Sequence, residues 1–126
     1  MRFDEYQRLA MRTNDGFCNS RLRNAAILPF NNAPDFGETI NASLGLSGEV
    51  GELNDMIKKT IFHGHPLDKD HVKKEIGDIM WYVALMCESF GFDMGEIAQM
   101  NIDKLKARYP EGFSVEQSLH RKEGDI

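Results

Sequence analysis

Apolar residues recur at spacings of three and four along most of this chain. No stretch bracketed by Gly or Pro alternates apolar and polar residues with the period of a strand. Phe3, Tyr6, Leu9 and Ala10 share one side of a short helix predicted over 3–12. The segment 14–37, rich in Asn and holding Pro29 and Pro34, reads as an irregular insertion with a short helix near 20–28. Leu46, Val50, Leu53, Ile57 and Ile61 then mark a long helix over 38–62, which His63-Gly64-His65-Pro66 terminates. Asp68 or Asp70 caps the next helix, whose stripe of Val72, Ile76, Ile79, Val83 and Met86 runs to Phe90 before Gly91. Asp93 with Glu96 forms a capping box for a further helix ending at Tyr109-Pro110. Ser114 caps a last short helix, and 121–126 read as a frayed tail. The pattern predicts a single all-α domain over 1–126, with an antiparallel four-helix-bundle core of the kind short loops produce.

The length suits one domain with a real core, and 41% hydrophobic with 28% charged residues is ordinary for a soluble protein. Met80, Leu85 and Cys87 lie beyond the stripe of their helix, more apolar surface than a monomer covers. They predict a homo-oligomer, a homodimer or a homotetramer. No Lys/Arg cluster or basic tail appears, which argues against a nucleic acid polymer as partner. The longest apolar run, 79–87, is too short for a bilayer, and the first residues lack a secretory apolar segment. Two cysteines form no disulfide framework, Cys87 reads as a buried thiol, and the expected location is cytoplasmic.

The chemistry is concentrated in a phrase that occurs twice. Glu49-Val50-Gly51-Glu52-Leu53 returns as Glu75-Ile76-Gly77-Asp78-Ile79. Carboxylates three apart on a helix share a face, with Cβ atoms roughly 5–6 Å apart. Each phrase is therefore a twin-carboxylate claw at the same offset from its own apolar stripe. The first acid of each pair borders the core, and its fellow faces a cleft. Two facing claws would repel without a cation, and their hard oxygens suit Mg²⁺, with Mn²⁺ as substitute. These four acids account for −4 of a formal net charge of −5. Gly51 and Gly77 each cost about 1 kcal/mol relative to Ala in a helix, which implies a close backbone approach or room for a ligand. A single Glu-x-x-Glu would read as a solvated flank; the matched repeat points to a metal site.

On the later helix Ile97, Asn101, Lys104 and Arg108 share a stripe. Facing the carboxylates, its cations would grip the anionic part of a substrate, Arg with a bidentate fork and Lys as a point charge. The competing reading is a set of salt bridges to Asp103, Glu111 or a neighbouring subunit. Tyr82, one turn after Asp78, is placed to stack on a base or ribose, or else to pack in the core with a wet hydroxyl. Lys58, Lys59, His63 and His65 crowd the loop after the first claw, with Lys58 or His63 a candidate phosphate contact.

Glu49-x-x-Glu52, Glu75-x-x-Asp78 and Asn101-x-x-Lys104-x-x-x-Arg108-Tyr109 together resemble the MazG nucleotide pyrophosphohydrolases. These belong to the all-α NTP pyrophosphohydrolase superfamily, which includes the dimeric dUTPases and the phosphoribosyl-ATP pyrophosphohydrolases. The likeness covers about 42–113, and the motif-bearing core extends over about 38–113. It implies Mg²⁺-dependent cleavage of a nucleoside triphosphate between the α and β phosphates, releasing a monophosphate and pyrophosphate. Carried over by position, Glu49, Glu52, Glu75 and Asp78 are the metal ligands. Lys104 and Arg108 grip the triphosphate, and Asn101 contacts sugar or base. Glu52 is favoured as the catalytic base that orients water. A di-iron bundle needs Glu-x-x-His on two helices, and neither claw has that His. The alternative from another class is a non-catalytic Mg²⁺-nucleotide-sensing or structural helical dimer.

Overall fold

A computed structural model describes residues 2–27 and 36–120. Residue 1, residues 28–35 with Pro29 and Pro34, and residues 121–126, expected as a frayed tail, lie outside the described residues. Among those described, every regular element is helical: α1 Phe3–Ala10, continued by a 3₁₀ turn Met11–Thr13, α2 Cys18–Ile27, α3 Phe36–His63, α4 Lys69–Phe90, α5 Met94–Arg108 and α6 Val115–Leu119. The all-α expectation holds, and local chemistry explains the helix ends. Asp68 caps α4 by accepting from the backbone N–H groups of Asp70 and His71 at 3.0 and 3.1 Å. At the other end Gly91 adopts φ 68°, a left-handed conformation glycine enters without steric cost. The N–H groups of Gly91 and Phe92 then close a Schellman turn on the carbonyls of Glu88 and Cys87. Asp93 accepts from Glu96 N–H at 2.8 Å, and Ser114 accepts from Gln117 N–H at 3.3 Å.

Packing is concentrated in one antiparallel pair, α3 against α4, while α5 and α6 barely touch the other helices. Two contacts set the register of the pair. Near the start of α3, Thr39 Oγ1 lies 3.0 Å from Ser89 Oγ. Ser89, itself buried, spends its proton on the Met86 carbonyl at 2.9 Å, so Thr39 is the donor between them. Two turns further along α3, the ring of Tyr82 lies directly on the backbone of Gly45. A Cβ at residue 45 would meet ring carbons at 2.1 and 2.2 Å. Gly45→Ala gains helix propensity of about 1 kcal/mol, yet the ring must leave its seat. Overpacking of this kind costs ~1–3 kcal/mol, more where the ring has nowhere to go. A lowered thermal midpoint, despite the better helix former, is the expected result; a raised one would mean that the ring moves aside freely.

One chain buries little. Among the described residues the buried apolar side chains are Ala42 and Cys87. Of the two stripes, Leu46, Leu53, Val72, Ile79, Val83 and Met86 are half-buried, whereas Val50, Ile57, Ile61 and Ile76 stand exposed, Ile61 at 65%. Helical period alone places a residue on the apolar face; it does not say that the same chain covers that face. No described helix is long and apolar enough to cross a membrane.

Candidate metal centre

The register that seats Tyr82 on Gly45 also brings the two acidic phrases opposite one another. One oxygen each from Glu49 and Glu52 on α3 and from Glu75 on α4 lies within 4.8 Å of the others. Asp78 is exposed and outside this trio, though close enough for its charge to act on Glu49. Burial is graded as the helical offset predicts: Glu75 is buried, Glu49 half-buried, and Glu52 and Asp78 exposed. Glu49 bears the consequence. Desolvation raises its pKa above the usual carboxylate range, helped by the charges of Glu52, Asp78 and Glu75 and by a carboxyl–carboxyl approach to Glu75. Two carboxylates that close must share either a proton or a cation.

Glu75 tests which groups the site can hold. Its Oε1 faces His71 Nε2 at 2.7 Å, one helical turn earlier. Its Oε2 is buried and has no hydrogen-bond partner. An orphaned buried carboxylate oxygen is costly, and Glu75 is one of the three carboxylates that converge. An all-oxygen anionic donor set suits a hard divalent cation, so the residues fit the metal that their sequence implies.

A cleft of about 480 Å³ opens beside the cluster, with Glu52, Glu75, Met56, Lys59, His65 and His71 among its walls. Of the four basic residues that crowd this end of α3, the structure brings Lys59 and His65 to the cleft; Lys58 and His63 do not line it. The backbone explains His65: Gly64 turns at φ 71°, and His65 N–H donates to the Lys59 carbonyl at 3.2 Å. Lys58 and Lys59 both pair with Asp55, Lys59 at 2.6 Å. Together they pull the Asp55 carboxyl down to about 2.

Other expectations fare differently. Asn101, Lys104 and Arg108 lie on α5, none of whose residues lines this cleft. Tyr82 is packed on Gly45 and edge-on to Trp81, centroids 4.9 Å apart. Gly51 and Gly77 meet no tight approach, since a Cβ at either would find nothing within 4 Å. They leave room, and the close approach is at Gly45. Sequence reasoning passed over Asp55 and His71. Their signal was the i, i+4 spacing of Asp55 to Lys59 and of His71 to Glu75.

Fold and site together define an all-helical protein with a carboxylate centre suited to a divalent cation, beside an open cleft. The chain belongs to the MazG nucleotide pyrophosphohydrolase domain family, whose model matches residues 38–113. That span holds both claws and the α5 stripe. Gene 37 protein of Mycobacterium phage L5 is similar, 31% identical over 74 residues that cover 56% of this chain. The match spans 65% of the phage protein, a little under two thirds of its length. No solved structure matches the chain significantly.

Proposed function

We propose that this protein hydrolyses nucleoside triphosphates, ribo- or deoxyribo-, between the α and β phosphates, giving a nucleoside monophosphate and pyrophosphate. The observation that carries this reading is the convergence of Glu49, Glu52 and Glu75, with one carboxylate oxygen of Glu75 buried and unpartnered. Glu49, Glu52, Glu75 and Asp78 are the ligands of Mg²⁺, with Mn²⁺ as substitute. Bound there, the cation supplies charge neutralisation and Lewis acidity towards the phosphates. Glu52 orients water and accepts its proton as base, a role that its exposure on the wall of the cleft supports. Lys104 and Arg108 hold the phosphates, and Asn101 the sugar or base.

The chain acts as a single cytoplasmic domain in a homodimer or homotetramer, and a second α3–α4 pair completes a four-helix core. Support comes from the exposed Val50, Ile57, Ile61, Ile76 and Met80 on the pair itself, apolar area that water penalises at roughly 25 cal/mol per Å². The deciding experiment is pyrophosphate release from a panel of NTPs and dNTPs with and without Mg²⁺. Cation-dependent release from at least one of them is expected. Nucleotide binding without any release would favour the sensing or structural dimer instead. Light scattering at micromolar concentration should give a dimer mass or more, and a monomer mass would count against the assembly.

A further inference from the structure

The cleft continues along α3 past Glu52. Asp55 and Lys59 lie on its wall, three and seven residues after Glu52. At the α-helical rise per residue they stand about 4.5 and 10.5 Å beyond Glu52 along the axis. The ammonium of Lys59 lies 2.6 Å from Oδ2 of Asp55, and Lys58 pairs with the other oxygen. Those two cations hold the Asp55 carboxyl down to about 2, so at neutral pH it is ionised and only accepts hydrogen bonds. Its side chain is still 40% exposed, which leaves lone pairs open to a ligand.

Charge decides which part of a nucleotide suits this wall. Its carboxylates are Glu52, Asp55, Asp68 and Glu75, and against them stand two histidines and one lysine already engaged by Asp55. A phosphate finds little to hold it there except through a cation at Glu52 and Glu75. An uncharged ring fits better, since Met56 and Pro66 add apolar surface to the same wall. About 480 Å³ is within the range of small-molecule sites, where apolar walls carry the contact and a few polar groups fix orientation.

We propose that the nucleobase lies in this cleft and that Asp55 reads its exocyclic group, favouring the amino bases cytosine and adenine over their keto counterparts uracil and hypoxanthine. The proposal rests on the nucleotide reading given above and adds a substrate preference to it, with Asn101 left to the sugar. An exocyclic amine donates to the carboxylate, the pairing by which acidic side chains recognise the N4 amine of cytosine in DNA. Lys59, at the side of Asp55, donates to the ring nitrogen next to that amine, N3 of cytosine or N1 of adenine. In a keto base both contacts reverse. Its oxygen sets acceptor against acceptor at Asp55, and its ring N–H sets donor against donor at Lys59. A site built around hydrogen bonds discriminates strongly against a ligand that leaves them unmade.

The test compares pyrophosphate release from CTP against UTP and from ATP against ITP, by the full chain with Mg²⁺, as wild type and as Asp55→Asn. Wild type should favour the amino member of each pair by about 10–100-fold in kcat/KM. The amide introduced by Asp55→Asn can turn its NH₂ towards a keto oxygen, so that preference should fall by about tenfold or more. Calorimetric binding of the α,β-methylene analogues of CTP and UTP, which cannot be cleaved between those phosphates, should give the same order in wild type. That measurement decides the matter should Asp55→Asn fail to fold. A uniform fall over all four nucleotides would mean a structural role for Asp55 and would overturn the proposal. So would a wild type that treats the members of each pair alike or prefers the keto member. Release from every nucleotide with an unchanged ranking in Asp55→Asn would sink this inference and leave the hydrolase reading standing. No release from any of them would remove the hydrolase reading instead, and tighter binding of the CTP analogue would then uphold the base preference by itself, equal binding overturn it.

Discussion

Glu52→Gln is expected to lower Mg²⁺-dependent pyrophosphate release by roughly 10²–10⁴-fold, the usual contribution of a positioned base, while the fold survives. The expectation combines three features of the residue. Glu52 is exposed where Glu75 is buried, so its carboxylate can reach a bound substrate. It lines the cleft that a substrate would enter. It also stands within 4.8 Å of the other two converging carboxylates, so the substitution touches the cation as well as the base. Gln keeps the shape and removes the charge. Because Glu52 is one of the charges that push up the pKa of Glu49, its neutralisation relieves repulsion in the cation-free protein. The melting temperature without metal should hold or rise, and the two measurements move in opposite directions. Asp78→Asn should likewise cut turnover without unfolding, which tests whether the fourth acid, outside the trio here, joins the others around a cation. Full Mg²⁺-dependent activity in Glu52→Gln would take the residue out of both roles.

Arg108→Ala should impair every nucleotide alike, because a phosphate contact carries no information about the base. A hydrogen bond to a charged group contributes about 1.5–3 kcal/mol, which is roughly tenfold to a hundredfold in kcat/KM. Asn101→Ala should instead reorder the nucleotides if its amide meets sugar or base. Both residues sit on α5, which stands apart from the cleft of its own chain. The losses would therefore also report that assembly brings this stripe to a carboxylate centre. Undiminished activity of Arg108→Ala on every triphosphate would return the stripe to the salt-bridge reading. Steady-state kinetics over the nucleotide panel separates these outcomes, a uniform fall marking a phosphate contact and a changed ranking a base contact.

Much of this molecule is decided within a few residues of itself. Helix starts at Asp68, Asp93 and Ser114 follow from side chains that accept backbone N–H groups two or three positions on, and the stop at Gly91 follows from its positive φ. Such contacts need no distant partner, which is why the sequence determines them. The claws are legible for the same reason: i, i+3 spacing fixes which acids share a face, and the offset from the apolar stripe fixes which of them sinks. What lies across from each claw is a matter of register, and register was decided by Gly45 under the ring of Tyr82 and by Thr39 against Ser89. A glycine that admits an aromatic ring is, in sequence, like any other glycine, and Gly51 and Gly77 stand out there more than Gly45 does. Tertiary structure alone also chose Lys59 and His65 over Lys58 and His63 at the cleft, since neighbours on a helix differ by about 100° and a loop's turn sets which one faces in. The apolar stripes show the limit from the other side: the sequence determined that Ile57, Ile61 and Ile76 belong to an apolar face, and the folded chain left that face open, because two packed helices cannot enclose what four can.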